Sequence, residues 1–508
     1  MKLLKPVDYF LDRITMYRLV LYVLIAVLTV ATVAGYFGAV PYSPLSIILS
    51  TAFLIGMGWA ANTLFSFCFD APANVESVYI TALILALIIS PTSTSRDFIF
   101  LGWAAILAMG SKFILAVGKK HFFNPAAVAV VITMYVLGQS ASWWVGTAVL
   151  APIVLAGGYL VIRKLRYEDL AWSFFMTFAV VSLGITLMKG GSVIKTLEQL
   201  AFHSSLLFMG SIMVTEPMTL PPTNTLQMIF GAIVGFLAVP QVHIGNMFFA
   251  PELALCIGNV FAYLVSPKTK LVLYLHKKIS YSPDILDFIF KPEKPFSFVP
   301  GQYMEWTLPH NRPDSRGNRR YFTLASSPTE DTVRLGIKFY ENGSTYKQAL
   351  KRLDSATPLI GAQIAGDFTL PKDTGRKLAF IAGGIGITPF RSMIKYLVDT
   401  GEMRDIVLFY VNKTADEIAY RDVFDAAEES LGIRTVYSLT STHLIPTHWC
   451  GERGRIDHEM IQSHVPDYRE RLFYLSGPQT MVNAYEKTLR GIGVPESQIK
   501  KDFFPGFA

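Results

Sequence analysis

Met213-Val-Thr-Glu-Pro-Met-Thr-Leu-Pro-Pro-Thr-Asn224 ends one apolar run and precedes another, and its punctuation is written twice in the chain. The first copy opens at Ser90-Pro91-Thr92 and closes at Asn124-Pro125-Ala126. The second opens at Glu216-Pro217-Met218 and closes at Ala250-Pro251-Glu252. In both copies the two prolines are 34 residues apart. An offset of 126 residues also lays Val20–Tyr36 on Gly146–Ile162 and Thr51–Asn62 on Thr177–Met188. A fixed period with matching punctuation marks internal duplication. Each copy holds five apolar segments, an odd number, so the second enters a membrane from the opposite side. Prolines at matching positions of such an inverted repeat point to a midplane site.

Composition separates the chain into two halves. Of the 508 residues, 52 % are hydrophobic and 16 % charged, less charge than a soluble domain carries. The apolar runs stop near Ser266, and an ordinary soluble composition follows. The net charge of +7 comes without a basic block interleaved with aromatics, which argues against nucleic acid. Cys68, Cys256 and Cys450 are too scattered for a zinc or iron–sulfur site, so no metal is expected.

Ten spans are expected, at about 19–37, 45–66, 77–90, 97–117, 122–138, 145–162, 170–188, 200–214, 226–240 and 248–265. The first is long enough to be retained as a helix rather than cleaved as a signal. With the N-terminus inside, inner loops receive Lys119, Lys120, Arg163, Lys164, Arg166, Lys268 and Lys270, and outer loops receive Arg96, Lys189 and Lys195. Positive residues concentrate on the cytoplasmic side, so both termini are expected there, in an inner membrane among lipid. The prolines of the second stretch cannot continue a helix, and irregular backbone at membrane depth must be buried or line a cavity. Asn124, Thr215, Glu216, Thr219, Thr223 and Asn224 are the candidate ligand groups. A plain polar turn at the membrane surface is the other reading of a Pro/Thr cluster.

Lys112–Ile132, with Asn124-Pro125-Ala126-Ala127, and Met213–Gly235, with its Thr-Glu-Pro and Pro-Thr-Asn, resemble the NqrB/RnfD membrane subunits of ion-pumping respiratory complexes. The resemblance covers roughly residues 40–265. It implies ten helices in an inverted five-plus-five arrangement, similar to urea transporters, with flavin in the membrane half. In that family flavin mononucleotide is esterified to a threonine in a Ser-Gly-Ala-Thr motif. The loop here, Gly138–Trp144, has no such motif, and the partial match Ser355-Ala356-Thr357 lies in the soluble half. A non-covalent second flavin, FMN or riboflavin, is therefore the expectation. Haem, as in ferric-reductase-like proteins, needs facing axial ligands, whereas His121, His203 and His243 each lie near a helix end without paired spacing.

Past Ser266, alternation at Lys270–Leu275, Ile285–Phe290, Tyr303–Leu308 and Val333–Tyr340 reads as a small antiparallel barrel. From Arg376, short apolar strands alternate with helices at Leu378–Ala382, Ile406–Val411, Arg434–Ser438 and Leu472–Leu475, the pattern of a parallel α/β sheet. The expected domains are 1–266 in the membrane, a barrel at 267–374 and an α/β domain at 375–508.

Four motifs carry chemistry. Pro300-Gly301-Gln302-Tyr303 closes a barrel turn. In Arg320-Tyr321-Phe322-Thr323 a guanidinium can hold a diphosphate bidentately, an aromatic can lie along a flavin, and Thr323 can offer its hydroxyl to N5. Gly343-Ser344-Thr345 opens a helix whose first amides suit the same diphosphate. Ala382-Gly383-Gly384-Ile385-Gly386-Ile387-Thr388-Pro389 follows a buried strand and opens a helix, where Gly383, Gly384, Gly386, Thr388 and Pro389 let a dinucleotide approach the backbone.

In this order the set resembles the ferredoxin–NADP reductase family across about residues 268–508. Gly477-Pro478-Gln479-Thr480-Met481 matches its late nicotinamide-side motif, with Ser476 where many members have cysteine. The resemblance implies FAD, a nicotinamide donor, and hydride transfer near Thr323 and Ser476. Phe503-Phe504-Pro505-Gly506-Phe507 resembles the aromatic tail of some members. NADH is expected over NADPH, because Asn412-Lys413-Thr414 and Thr440-Ser441-Thr442 offer no arginine cluster for an extra phosphate. The acceptor is expected to be an extracytoplasmic protein or quinone. A urea-transporter-like or redox-coupled ion transporter with an energising reductase is the alternative, as is a membrane-anchored ferric/haem-type reductase.

Overall fold

The computed structural model describes residues 7, 11, 14–69, 75–117, 120–245, 247–266, 271–310, 314, 318–341 and 343–502. Lys119, Lys268, Lys270 and the tail Phe503–Phe507 lie outside them. The chain divides into an N-terminal unit, Met1–Ser266, and a C-terminal unit, Pro267–Phe504.

The N-terminal unit is helical: α1 Met16–Tyr36, α2 Pro44–Cys68, α3 Val75–Ile88 and α4 Ser95–Ile114, then α5 Pro125–Leu137 and α6 Ala151–Leu165. It continues with α7 Glu168–Met188, α8 Val193–Phe202, α9 Leu206–Phe208, α10 Asn224–Leu237 and α11 Pro251–Val265. Among the described residues, four helices are long and apolar enough to cross a membrane: Met16–Tyr36, Pro44–Cys68, Asp97–Ile114 and Glu168–Met188. The duplication is visible in the elements. The hairpin β1 Ala116–Val117 and β2 Lys120–His121 precedes α5, and the hairpin β3 His243–Ile244 and β4 Met247–Phe248 precedes α11. Pro125 and Pro251 both occupy the first helical turn, where a missing N–H costs nothing. The packed pair α2–α4 of the first copy recurs as α7–α10 of the second. In the latter, a Cβ on Gly231 or Gly235 would come within 2.7 Å of Leu170 O or 2.6 Å of Phe174 O. These two small residues, one turn apart, let the helix backbones touch.

Two expected spans are corrected. The run 200–214 is not one helix: α8 stops at Phe202, and the chain re-enters as α9 and a π turn, Met209–Met213. Ser204 accounts for the break, its hydroxyl donating to Leu200 O (2.7 Å) and accepting from Leu206 N (3.2 Å), in competition with the helical ladder. The run 145–162 becomes helical only at Ala151. Before it, Ser142 N and Trp143 N donate to Ile88 O, Val145 N donates to Leu87 O, and Trp144 Nε1 donates to Ala86 O (2.9 Å). This loop satisfies the carbonyls left open where α3 ends at its proline. Lys164, counted above as a loop charge, is buried and donates to Leu11 O at 2.7 Å.

The C-terminal unit holds two sheets. The antiparallel one is built from β5 Leu271–Ser282, β6 Ile285–Pro292, β7 Tyr303–Thr307, β8 Arg319–Thr323, β9 Val333–Lys338 and β10 Leu359–Ala365, in the order β8-β7-β10-β5-β6-β9. The helix α12, Thr345–Arg352, stands between β9 and β10. The parallel sheet comprises β11 Leu378–Gly383, β12 Ile406–Asn412, β13 Arg434–Leu439, β14 Glu452–Arg453, β15 Leu472–Ser476 and β16 Ile499–Lys501, in the order β14-β13-β12-β11-β15-β16. Helices α13 Thr388–Thr400, α14 Arg421–Leu431, α15 His458–His464 and α16 Gln479–Gly491 connect its strands. Every residue of β11 and β12 is buried, as expected where helices cover both faces. The two sheets are tied together at Arg391 of α13. Its guanidinium grips Glu330 and donates to Ala325 O at 3.0 Å, and Ser392 Oγ donates to Ser326 O at 2.6 Å.

Candidate functional site

The antiparallel sheet sets out the first motif. Gly301 has φ +94, and a Cβ there would sit 2.1 Å from Phe368 O, so the turn entering β7 requires glycine. It delivers Tyr303 opposite Thr323 of β8, with Glu305 opposite Tyr321 and Trp306 opposite Arg320. Alternation along β8 therefore splits Arg320-Tyr321-Phe322-Thr323 between two faces. Phe322 packs 6.0 Å from the Tyr346 ring, and the Arg320 guanidinium lies over the same ring at 5.1 Å. On the other face the Tyr321 ring meets Tyr303 edge-on at 5.8 Å, and its hydroxyl donates to Glu305 Oε2 at 2.9 Å.

Arg320 and the start of α12 converge. Arg320 donates to both carboxylate oxygens of Asp314 (2.8 and 3.0 Å), and Asp314 N donates to Thr345 Oγ1 at 2.9 Å. Ser344 caps α12, accepting from Lys347 N at 3.3 Å, and Gly343 precedes it. Arg320 thus stands as a buried cation beside a helix N-terminus, the chemistry that a diphosphate requires. Asp314 was missed because its sequence context carries no signal.

In the parallel sheet, β11 stands where the strand order reverses, with β12 on one side and β15 on the other. Ligands of open α/β sheets bind in that crevice, beyond the carboxyl ends of the strands. The glycine motif occupies it. A Cβ on Gly383 would overlap Met481 Sδ at 2.2 Å, and one on Gly386 would lie 2.5 Å from Ser476 O. Gly384, at φ +53, has open space where its Cβ would be, and Thr388 and Pro389 begin α13 behind it. The second motif, Gly477-Pro478, thus meets the first through Met481. Ser476 Oγ donates to Asp502 Oδ2 at 3.0 Å. Asp502 was missed by sequence reasoning. Asp502 and Asp367 also act on the Tyr303 phenol, which burial foremost pushes up to about 12. Tyr474 of β15 donates to Thr369 O at 2.7 Å, and Phe368 O lies against Gly301 at the entry to β7, so β15 adjoins the antiparallel sheet.

The N-terminal unit gathers only some of its candidates. Asn124 Nδ2 donates to Glu216 Oε2 at 2.8 Å, and Asn124 N donates to Asn259 Oδ1 at 2.9 Å. Asn259 Nδ2 reaches Thr219 O at 3.5 Å, and His121 Nε2 lies 3.7 Å from Glu216 Oε1. Asn259 and His121 are additions to the expected set. Thr215 is buried beside them, its hydroxyl returned to Ser211 O at 3.0 Å. Thr223 is spent as the α10 cap, and Asn224 is exposed at the first position of that helix. Glu252, unassigned above, is buried and accepts from Trp143 Nε1 at 2.8 Å.

Comparison with known proteins bears on the C-terminal unit. Residues 380–487 match the family described as oxidoreductase NAD-binding domain. A flavohemoprotein of Oceanobacillus iheyensis is 26 % identical over 45 % of this chain and 57 % of its own length. The glycine betaine monooxygenase reductase subunit of Pseudomonas aeruginosa is 26 % identical over 45 % of this chain and 62 % of its own. The chain thus spans about three fifths of the curated relatives it matches. The cytochrome b5 reductase domain of Ulva prolifera nitrate reductase is 21 % identical, with a TM-score of 0.41 over 46 % of this chain and 98 % of that one. The C-terminal half of this chain is thus similar to flavohemoprotein and reductase-subunit sequences, and within it residues 380–487 match an oxidoreductase NAD-binding domain.

Proposed function

We propose that the chain takes electrons from cytoplasmic NADH and passes them through the membrane to an extracytoplasmic acceptor protein or to quinone. FAD, when bound, accepts a hydride and releases electrons one at a time. Arg320 and the first turn of α12 would hold its diphosphate, and Thr323 with Tyr303 and Tyr321 would line its ring. The glycine turn after β11 would hold the donor, with Ser476 fixed by Asp502 at the nicotinamide end. NADH is the preferred donor, since the stretches Asn412-Lys413-Thr414 and Thr440-Ser441-Thr442 contain no arginine for an extra phosphate.

The observation that carries the membrane step is the meeting of both proline stretches at Asn124 and Glu216. A hydrocarbon layer of about 30 Å is too thick for one efficient electron hop, so a second carrier is required. A non-covalent FMN or riboflavin near Asn124, Thr215, Glu216 and Thr219 supplies it, within a ten-helix NqrB/RnfD-like inverted repeat. Thr223 and Asn224 stay candidates at its edge. Flavin analysis of the purified full chain tests this reading: one FAD and one smaller flavin per chain support it, and FAD alone sinks it. Comparing kcat/KM for the two donors tests the choice of NADH, which a strong NADPH preference would overturn.

A further inference from the structure

Gly336 of β9 stands directly opposite Asp287 of β6, so the two belong to the same face of the antiparallel sheet. That face meets the parallel sheet. A Cβ on Gly336 would come within 2.5 Å of the Tyr420 hydroxyl, 2.9 Å of Thr388 Cγ2 and 3.1 Å of Ile385 Cδ1. Ile385 belongs to the glycine turn after β11, and Thr388 opens α13. The missing side chain therefore lets the turn press against the antiparallel sheet. Asp287 completes the contact. It is fully buried, its Oδ1 accepts from the Tyr420 hydroxyl at 3.0 Å, and its Oδ2 accepts from Arg334 Nη1 at 3.1 Å.

Tyr420 is held in place from several sides. It lies just before α14 with φ 59, a left-handed conformation that a bulky residue keeps only where its surroundings enforce it. Its ring meets Tyr281 edge-on at 5.2 Å and lies under the Arg391 guanidinium at 5.5 Å, and Arg391 stands one turn into α13. At the margin of the contact, Lys338 Nζ donates to Glu417 Oε1 at 2.6 Å. Strands β6 and β9 are thereby fixed to the turn and helix proposed to hold the dinucleotide. A hydride carries both electrons from the reduced nicotinamide to the flavin, and a misplacement of about 1 Å costs about a hundredfold in such a step. We infer that Gly336, Asp287 and Tyr420 form a spacer that sets the distance between the flavin sheet and the dinucleotide turn, and so positions the nicotinamide for hydride transfer. They are positioning residues, acting through Ile385 and Thr388. This rests on the NAD(P)H reading of the C-terminal unit.

The test is stopped-flow reduction of the bound flavin by NADH in the full-length holoenzyme. Gly336→Ala should lower the limiting rate about tenfold or more, while FAD content and the Kd for NADH stay within about threefold of the parent. Tyr420→Phe removes the hydroxyl alone and should lower the limiting rate about threefold or more at the same FAD content. In the double variant the hydroxyl that the new methyl meets is gone, so the two losses should not multiply. It should be no slower than Gly336→Ala. If Gly336→Ala does not fold, Tyr420→Phe decides alone. A fall in Tm with an unchanged limiting rate would make the contact merely structural and overturn the inference. Losses that multiply, or a loss confined to the Kd for NADH, would overturn it as well, and each leaves the reductase reading standing. A parent protein whose flavin neither NADH nor NADPH reduces overturns that reading itself.

Discussion

Ser476 at the end of β15 and Asp502 just after β16 are joined by a 3.0 Å hydrogen bond, while Asp502 N donates back to Leu475 O at 2.8 Å. The carboxylate fixes the serine that stands beside the Gly477 turn, so the side of the crevice proposed for the nicotinamide is oriented from outside the motif. Asp502→Leu should leave FAD content intact and lower kcat with NADH by about tenfold or more, since small misplacements of reacting groups are costly in rate. Stopped-flow reduction of the flavin reads this directly. An unchanged rate would show that Ser476 needs no positioning.

Arg320 is the second point of leverage. It is buried, paired to Asp314 and stacked on Tyr346. Arg320→Ala should strip FAD from the purified protein while the helical N-terminal unit stays folded. Removing one partner of such a pair costs about 1–3 kcal/mol, so a modest fall in Tm of the C-terminal unit should accompany it. Full FAD occupancy in the variant would contradict the assignment.

Acid should destabilise the parallel sheet at one identifiable carboxylate. Hydrogen bonds from Arg471 chiefly, and from Lys377, hold Asp467 far below the usual carboxylate range, to about 2. A carboxyl whose folded value is depressed adds stability that is complete above its unfolded value, near 3.9. That stability is lost as pH falls toward 2. Asp467→Asn should therefore lower Tm at pH 6 and leave it close to the parent near pH 2. Equal differences at both pH values would assign the effect to packing rather than charge.

What could be read in advance follows from how local each signal is. The paired prolines were legible because proline forbids helix interior wherever it stands, and both Pro125 and Pro251 do begin helices. The glycine turn was legible because its strand, turn and helix are contiguous. The split of 200–214 was not, because Ser204 breaks the ladder with its own hydroxyl inside an apolar run. Strands β10, β14 and β16 escaped as well, the last two being only two and three residues long. Asp502 and Asn259 owe their roles to residues brought near by the sheets and helices. No spacing in the sequence marks them.

The central claim is that electrons cross the membrane through this one chain. The direct measurement reconstitutes the full-length protein in sealed vesicles with ferricyanide trapped inside, and adds NADH to the face that carries the reductase half. The account predicts reduction of the trapped ferricyanide, abolished by Asn124→Leu with Glu216→Gln, while NADH oxidation by external ferricyanide continues in that double variant. Oxidation of NADH with external ferricyanide but no reduction inside would contradict it, as would internal reduction that the double variant leaves unchanged.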